Sequence, residues 1–129
     1  MVLDGTDIRL LAEFYRQLLG FEYRPGHEQP DPAGDEWLAL RDATGHTQVA
    51  FQQVPALPRA TWPEGPVPQQ LHLDLTVPTK TDLDAQHERA MALGAQLLED
   101  RSEDPDEPLR VYADPAGHPF CIFVAPPAP

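Results

Sequence analysis

Apolar residues recur at three- and four-residue spacing over Ile8, Leu11, Phe14, Tyr15, Leu18 and Leu19, a single wide stripe that predicts a helix. Thr6 or Asp7 can cap its start, and Gly20 supplies a left-handed stop. Phe21 to Tyr23 then reads as a short extended piece, and PGHEQPDPAGD as a loop broken by Pro and Gly. Trp37 to Arg41 alternates as a strand, Asp42 to Gly45 is a turn, and His46 to Gln53 is a second strand. Five prolines between Pro55 and Pro68 exclude both a helix and a central strand, so this stretch is a connector. Beyond it, Gln70 to Val77 alternates, with Leu71, Leu73, Leu75 and Val77 on one face and Gln70, His72, Asp74 and Thr76 on the other. A helix from about Thr81 to Leu93 ends at Gly94. Strands at Ala95 to Leu98, Leu109 to Ala113 and His118 to Val124 complete the pattern, and the PPAP tail frays.

The two halves match in order and spacing. Asp42-x-x-Gly45-His46-x-x-x-x-Phe51 has the spacing of Asp114-x-x-Gly117-His118-x-x-x-x-Phe123, and Leu19-Gly20 matches Leu93-Gly94. Each half puts a loop rich in Pro and acid between its second and third strands. This is an internal repeat of strand, helix and three strands. It predicts an α+β chain forming one domain over 1–129, with module one at about 1–53, a connector at 54–69 and module two at about 70–124.

Composition narrows the function. The chain has 129 residues, enough for one ordinary domain. Its 21 Asp and Glu against 9 Lys and Arg give a net charge of −12, which repels phosphate backbones and anionic lipid. Nucleic-acid and membrane partners are therefore not expected. The single cysteine, Cys121, excludes an intrachain disulfide and suits a reducing cytoplasm. The start MVLDGTDIRL lacks the basic and apolar stretches of a secretion signal, which also points to the cytoplasm. No phosphate-cradling Gly loop, serine elbow, CxxC pair or HExxH motif occurs.

LLAEFYRQLLGFEY in the first half, with QLHLDLTV, ALGAQLL and VYADPAGHPFCIF in the second, resembles the vicinal oxygen chelate superfamily. Within it, the glyoxalase-like and bleomycin-resistance-like domains are the nearest in pattern. The resemblance implies two βαβββ modules whose curved mixed sheets enclose a cavity for a small molecule, often with a divalent metal and often in a homodimer. The implied metal ligands come from the first and last strands of each module. His72 sits at the first-strand position of module two, and Cys121 falls where the family's DPxGNxxE pattern has Glu. In module one the last-strand position falls on Val49, and the first-strand position falls before Met1. By this count the ligand set is incomplete. A divalent metal is possible, but no metal site or cofactor is assigned, with His72 the one matching ligand position.

Several residues are candidates to bind a ligand. His72 and Asp74 share a polar strand face, His72 as hydrogen-bond partner or proton carrier and Asp74 as orienting acceptor. Arg110 supplies a charge and Tyr112 a hydroxyl or a stacking face, unless Arg110 simply pairs with a surface acid. Trp37, Phe51 and Trp62 can stack on a flat ligand. Core packing competes for Phe51, and Trp62 on the connector is a pocket lid or a partner contact. Cys121 is a ligand-facing thiol or a small packed hydrophobe. His46 and His118, each just after a turn, read as structural groups, for example bonding a turn carbonyl, with a ligand role as the alternative. No catalytic residue is assigned. Two functions fit: a lyase, isomerase or dioxygenase-type enzyme with a degenerate metal site, or a non-catalytic protein that sequesters a drug or metabolite, as bleomycin-resistance relatives do. The acidity of the chain suits a cationic ligand in the second case.

Overall fold

The structure, a computed structural model, describes residues 1–62 and 64–125. It divides into two compact units, Met1–Pro58 and Arg59–Pro129. The first runs β1 (Val2–Gly5), α1 (Ile8–Leu19), β2 (Glu22–Tyr23), β3 (Trp37–Arg41) and β4 (Thr47–Gln53). Its sheet has the order β1-β4-β3-β2, with β1 parallel to β4 and the other pairs antiparallel. The second runs β5 (Leu73–Val77), α2 (Lys80–Leu93), β6 (Gln96–Arg101), β7 (Leu109–Ala113) and β8 (Pro119–Val124). Its order is β5-β8-β7-β6, again with one parallel pair, β5 with β8. Each unit is thus a βαβββ module of an α+β chain. No helix of the described residues is long and apolar enough to cross a membrane.

Helix α1 forms where its stripe predicts. The Asp7 carboxylate accepts from the Leu10 N–H at its start, and Gly20, at φ 72°, donates its N–H to the Arg16 carbonyl at its end. Its buried face, Ile8, Leu11, Phe14, Tyr15 and Leu18, packs on strands β3 and β4. Tyr15 stacks on Phe51 at 6.1 Å between ring centres. Each such side chain contributes roughly 1.5–3 kcal/mol by leaving water. The long loop before β3 is organised by Arg9. Its guanidinium pairs with Asp35 at 2.8 Å and donates to the carbonyls of His27 and Gln29.

Helix α2 is held differently. Leu83 and Ala90 are its buried residues, and its other links to the sheet include polar ones. His87 Nδ1 lies 2.8 Å from the Tyr112 hydroxyl, and Asp84 lies 3.1 Å from Arg110 Nη2. The strand expected from Gln70 begins at Leu73, so Leu71 does not join the inward row and is 60% exposed. The strand expected at Ala95 to Leu98 runs on to Arg101, because β7 offers it partners as far as Leu109.

The duplicated Asp-x-x-Gly-His motif is a carboxylate-closed turn. Asp114, 1% exposed, accepts from the N–H groups of Ala116 and His118 and lies 2.7 Å from His118 Nδ1. Asp42 accepts from the N–H groups of Thr44 and His46 and from Gln48 Nε2. Both histidine rings take the structural place expected of them in the turn, with side chains as partners in place of a carbonyl. The His118 ring meets the Asp114 carboxylate, and the His46 ring lies 2.9 Å from the Thr44 hydroxyl. Gly45 and Gly117 close the turns at φ 90° and 98°, a region where a side chain is strained.

After the turns the halves part company. In β4, Leu40 pairs with Val49 but Arg41 pairs with Thr47, so Gln48 is an extra residue in a bulge. The bulge reverses the facing of everything beyond it. Phe51 points at helix α1, whereas Phe123 shares a face with Cys121 and, by alternation, lies opposite Phe120 and Ile122. Cys121 pairs with Asp74 and Val111, as Ala50 pairs with Val2 and Ala39. The counterpart of Cys121 is therefore Ala50, not Val49 as the motif spacing gives.

Replacing Asp114 with Ala leaves two part-buried N–H donors without their acceptor and should lower the unfolding free energy by about 1–3 kcal/mol. Asp42→Ala, at the more open turn, should lower the urea midpoint less. Equal losses in urea unfolding would contradict the difference in burial.

Candidate functional site

The strand register of the second unit assembles a small cluster. In the β5–β8 ladder Asp74 is paired with Cys121, so both side chains leave the same face of the sheet. His72 lies just before β5, two residues from Asp74, and its Nε2 is 3.1 Å from Asp74 Oδ1. One donor atom from each of His72, Asp74 and Cys121 lies within 4.8 Å of the other two. Among the described residues this is the one group of three or more His, Cys, Asp or Glu side chains that converges in this way. His72 and Asp74 are exposed, while Cys121 is 8% exposed and sits mid-strand between β5 and β7.

Electrostatics keep the thiol protonated. Burial first, then the Asp74 charge and hydrogen bond and the Glu99 charge, push Cys121 up to about 11. Glu99 reaches this face through a second bulge. Leu97 pairs with Tyr112 but Glu99 pairs with Val111, leaving Leu98 extra. Sequence alternation groups Glu99 with Leu97, so it gives no sign of Glu99 here.

Trp62 belongs to the same unit, with its ring centre 6.1 Å from that of His72. The segment carrying it is tied at two points. Thr61 exchanges hydrogen bonds with Val67, and a Cβ on Gly65 would collide with the Thr61 side chain. Arg59 reaches the Pro115 carbonyl and Gln96 Oε1, and a Cβ on Gly117 would meet its Cγ at 2.8 Å. The connector is thus an ordered strap over residues 59–62 and 64–69 that delivers an indole beside His72.

The other expected ligand-binding residues lie elsewhere. Arg110 and Tyr112 occupy β7 positions alternate to Val111, so they face helix α2, away from His72, Asp74 and Cys121. Arg110 meets Asp84 and lies 3.3 Å from Asp100, while its Nη1 finds no hydrogen-bond partner among the described residues. Ser102 hydrogen bonds, with Arg110 adding less, hold Asp100 at about 2. Burial pushes the Tyr112 phenol up to about 12. Phe51, 0% exposed, lies in the core of the first unit against Tyr15. Trp37 is 46% exposed there, between cavities of about 420 and 540 Å³ that share it and Glu36. Neither cavity includes a residue of the His72 cluster.

The donor chemistry of the cluster fits a divalent ion. An imidazole, a carboxylate and a thiol are the usual zinc ligands, and three of them leave a position free. Two donors of one tetrahedral ion at about 2.0–2.3 Å lie roughly 3.3–3.8 Å apart. The three donor atoms lie within 4.8 Å of one another, so the exposed His72 and Asp74 side chains would turn inward to close around an ion.

The glyoxalase-like domain model matches residues 1–123, and the chain belongs to that family. A glyoxalase/bleomycin resistance protein/dioxygenase family enzyme from Burkholderia phytofirmans is similar at 21% identity and TM-score 0.65, covering 96% of this chain and 94% of that one. The fosfomycin resistance protein FosX from Mesorhizobium loti is similar at 14% identity and TM-score 0.66, covering 97% and 88%. FosX from Listeria monocytogenes, complexed with Mn(II) and sulfate ion, matches at 15% identity and TM-score 0.65, covering 96% and 88%. Among curated proteins nothing matches the sequence at a significant level.

In metal-free protein the Cys121 thiol should react slowly with a disulfide reagent at pH 8 and reach half-ionisation near pH 11. Asp74→Asn removes the nearby negative charge, so it should lower that midpoint and raise the rate at pH 8. An unchanged midpoint in a thiolate-absorbance titration would show that Asp74 does not act on the thiol.

Proposed function

We propose that this chain binds an oxygen-bearing small molecule at the His72, Asp74 and Cys121 cluster, with a divalent ion held by the three side chains. The convergence of their donor atoms within 4.8 Å carries this reading. When bound, such an ion supplies Lewis-acid polarisation of a ligand oxygen. The chain supplies the rest. Asp74 Oδ1, 3.1 Å from His72 Nε2, is placed to orient the His72 ring. Trp62 offers an indole face beside His72 for the apolar part of a ligand. The net charge of −12 favours cations, metal or organic, near this face. Arg110 and Tyr112 support the site from the far side of the sheet by fixing β7, which in turn pairs with β8 beneath Cys121.

Equilibrium dialysis of chelator-treated protein against a divalent metal series, read by elemental mass spectrometry, tests the reading. One ion per chain is expected, with His72→Ala and Asp74→Ala each weakening it at least about 10-fold. Lack of saturable binding for every ion in the series would overturn it. A protein that sequesters its ligand without metal would instead keep its ligand affinity in excess chelator.

A further inference from the structure

Resting on that reading, we infer that Cys121 is the anchoring ligand of the cluster and that its sulfur makes the site selective for thiophilic ions such as Zn²⁺, Co²⁺ and Cd²⁺ over Mn²⁺ and Mg²⁺. The argument starts from mobility. Cys121 lies in the middle of β8, paired on one side with Asp74 of β5 and on the other with Val111 of β7. It is 8% exposed, so neither its backbone nor its side chain has room to withdraw. His72 lies outside the strand, and the Asp74 side chain is 55% exposed. An ion must therefore come to the sulfur, and the other two donors adjust to it. Binding breaks the S–H bond and forms a sulfur–metal bond, and the proton passes to water.

Ligand type then decides the ion. Thiolate prefers borderline and soft ions, whereas carboxylate and water oxygens suit Mg²⁺ and Mn²⁺. The sulfur of Cys121 and the carboxylate of Asp74 stand directly across the ladder from one another, on the same face of the sheet. The cluster therefore offers one hard carboxylate donor and one soft sulfur donor side by side. Unit 1 has no answering donors at the matching places, since the counterparts of Asp74 and Cys121 are Val2 and Ala50.

Cobalt reports sulfur directly. Titration of chelator-treated protein with Co²⁺ should produce the intense near-ultraviolet band of thiolate-to-cobalt charge transfer, saturating at one ion per chain. Zn²⁺ should displace that ion, while Mn²⁺ should compete at least about 100-fold less well. Cys121→Ser should abolish the band and narrow the Zn²⁺ to Mn²⁺ preference at least 10-fold. The wild-type spectrum needs no variant to fold, so it decides alone. One bound Co²⁺ without the band, or Mn²⁺ binding as tightly as Zn²⁺, would overturn the sulfur assignment and leave the metal reading standing. No bound ion of any kind would overturn both.

Discussion

The register of the parallel β5–β8 ladder is the constraint on which the second unit depends. Five consecutive pairs, from Leu73 with Phe120 to Val77 with Val124, fix it. Leu73 and Leu75 then stand beside Phe120 and Ile122 on the helix side, and Asp74 beside Cys121 on the other. A slip of one residue would turn the leucines outward and drive the Asp74 carboxylate into the apolar layer, which burial of a charge forbids. The cluster is thus a by-product of the packing: the pairing that turns the half-buried leucines toward the helix side also sets the carboxylate against the sulfur.

Much of the architecture is legible in the sequence because its signals are redundant. The α1 stripe, the glycines at both helix ends and the repeated Asp-x-x-Gly-His spacing all point to the same duplicated module. His72, Asp74 and Trp62 could be picked out because polar or aromatic residues on an alternating strand or a proline-rich connector need an explanation. Which face Arg110 and Tyr112 occupy was not legible. Alternation says which residues share a side, but not which side a helix covers. Here the covering helix is itself polar, and it accepts an arginine and a tyrosine through Asp84 and His87. The convergence of Asp74 with Cys121 was also hidden, because residues 47 positions apart become neighbours only through the ladder.

That polar seam gives α2 a different character from α1. A helix clamped by aromatic burial loses stability if a ring is trimmed. A helix clamped by Leu83, Ala90 and a few hydrogen bonds depends on the geometry of its polar partners. The N-terminal end is secured separately. Thr79 accepts from the Asp82 N–H and donates its hydroxyl to the Asp82 carboxylate, so the first turn is closed without help from the sheet.

The single extra residue at Gln48 changes how the two halves align. Beyond it the pairing resumes, with Ala50 between Val2 and Ala39 as Cys121 is between Asp74 and Val111, so the bulge shifts the count along the chain and leaves the inner face inward. Gln48 is tethered to Asp42 by its side-chain amide, which makes the insertion a settled part of the turn and not a loose kink. Counting from the turn therefore misplaces by one every counterpart beyond it, and only the ladder restores the match.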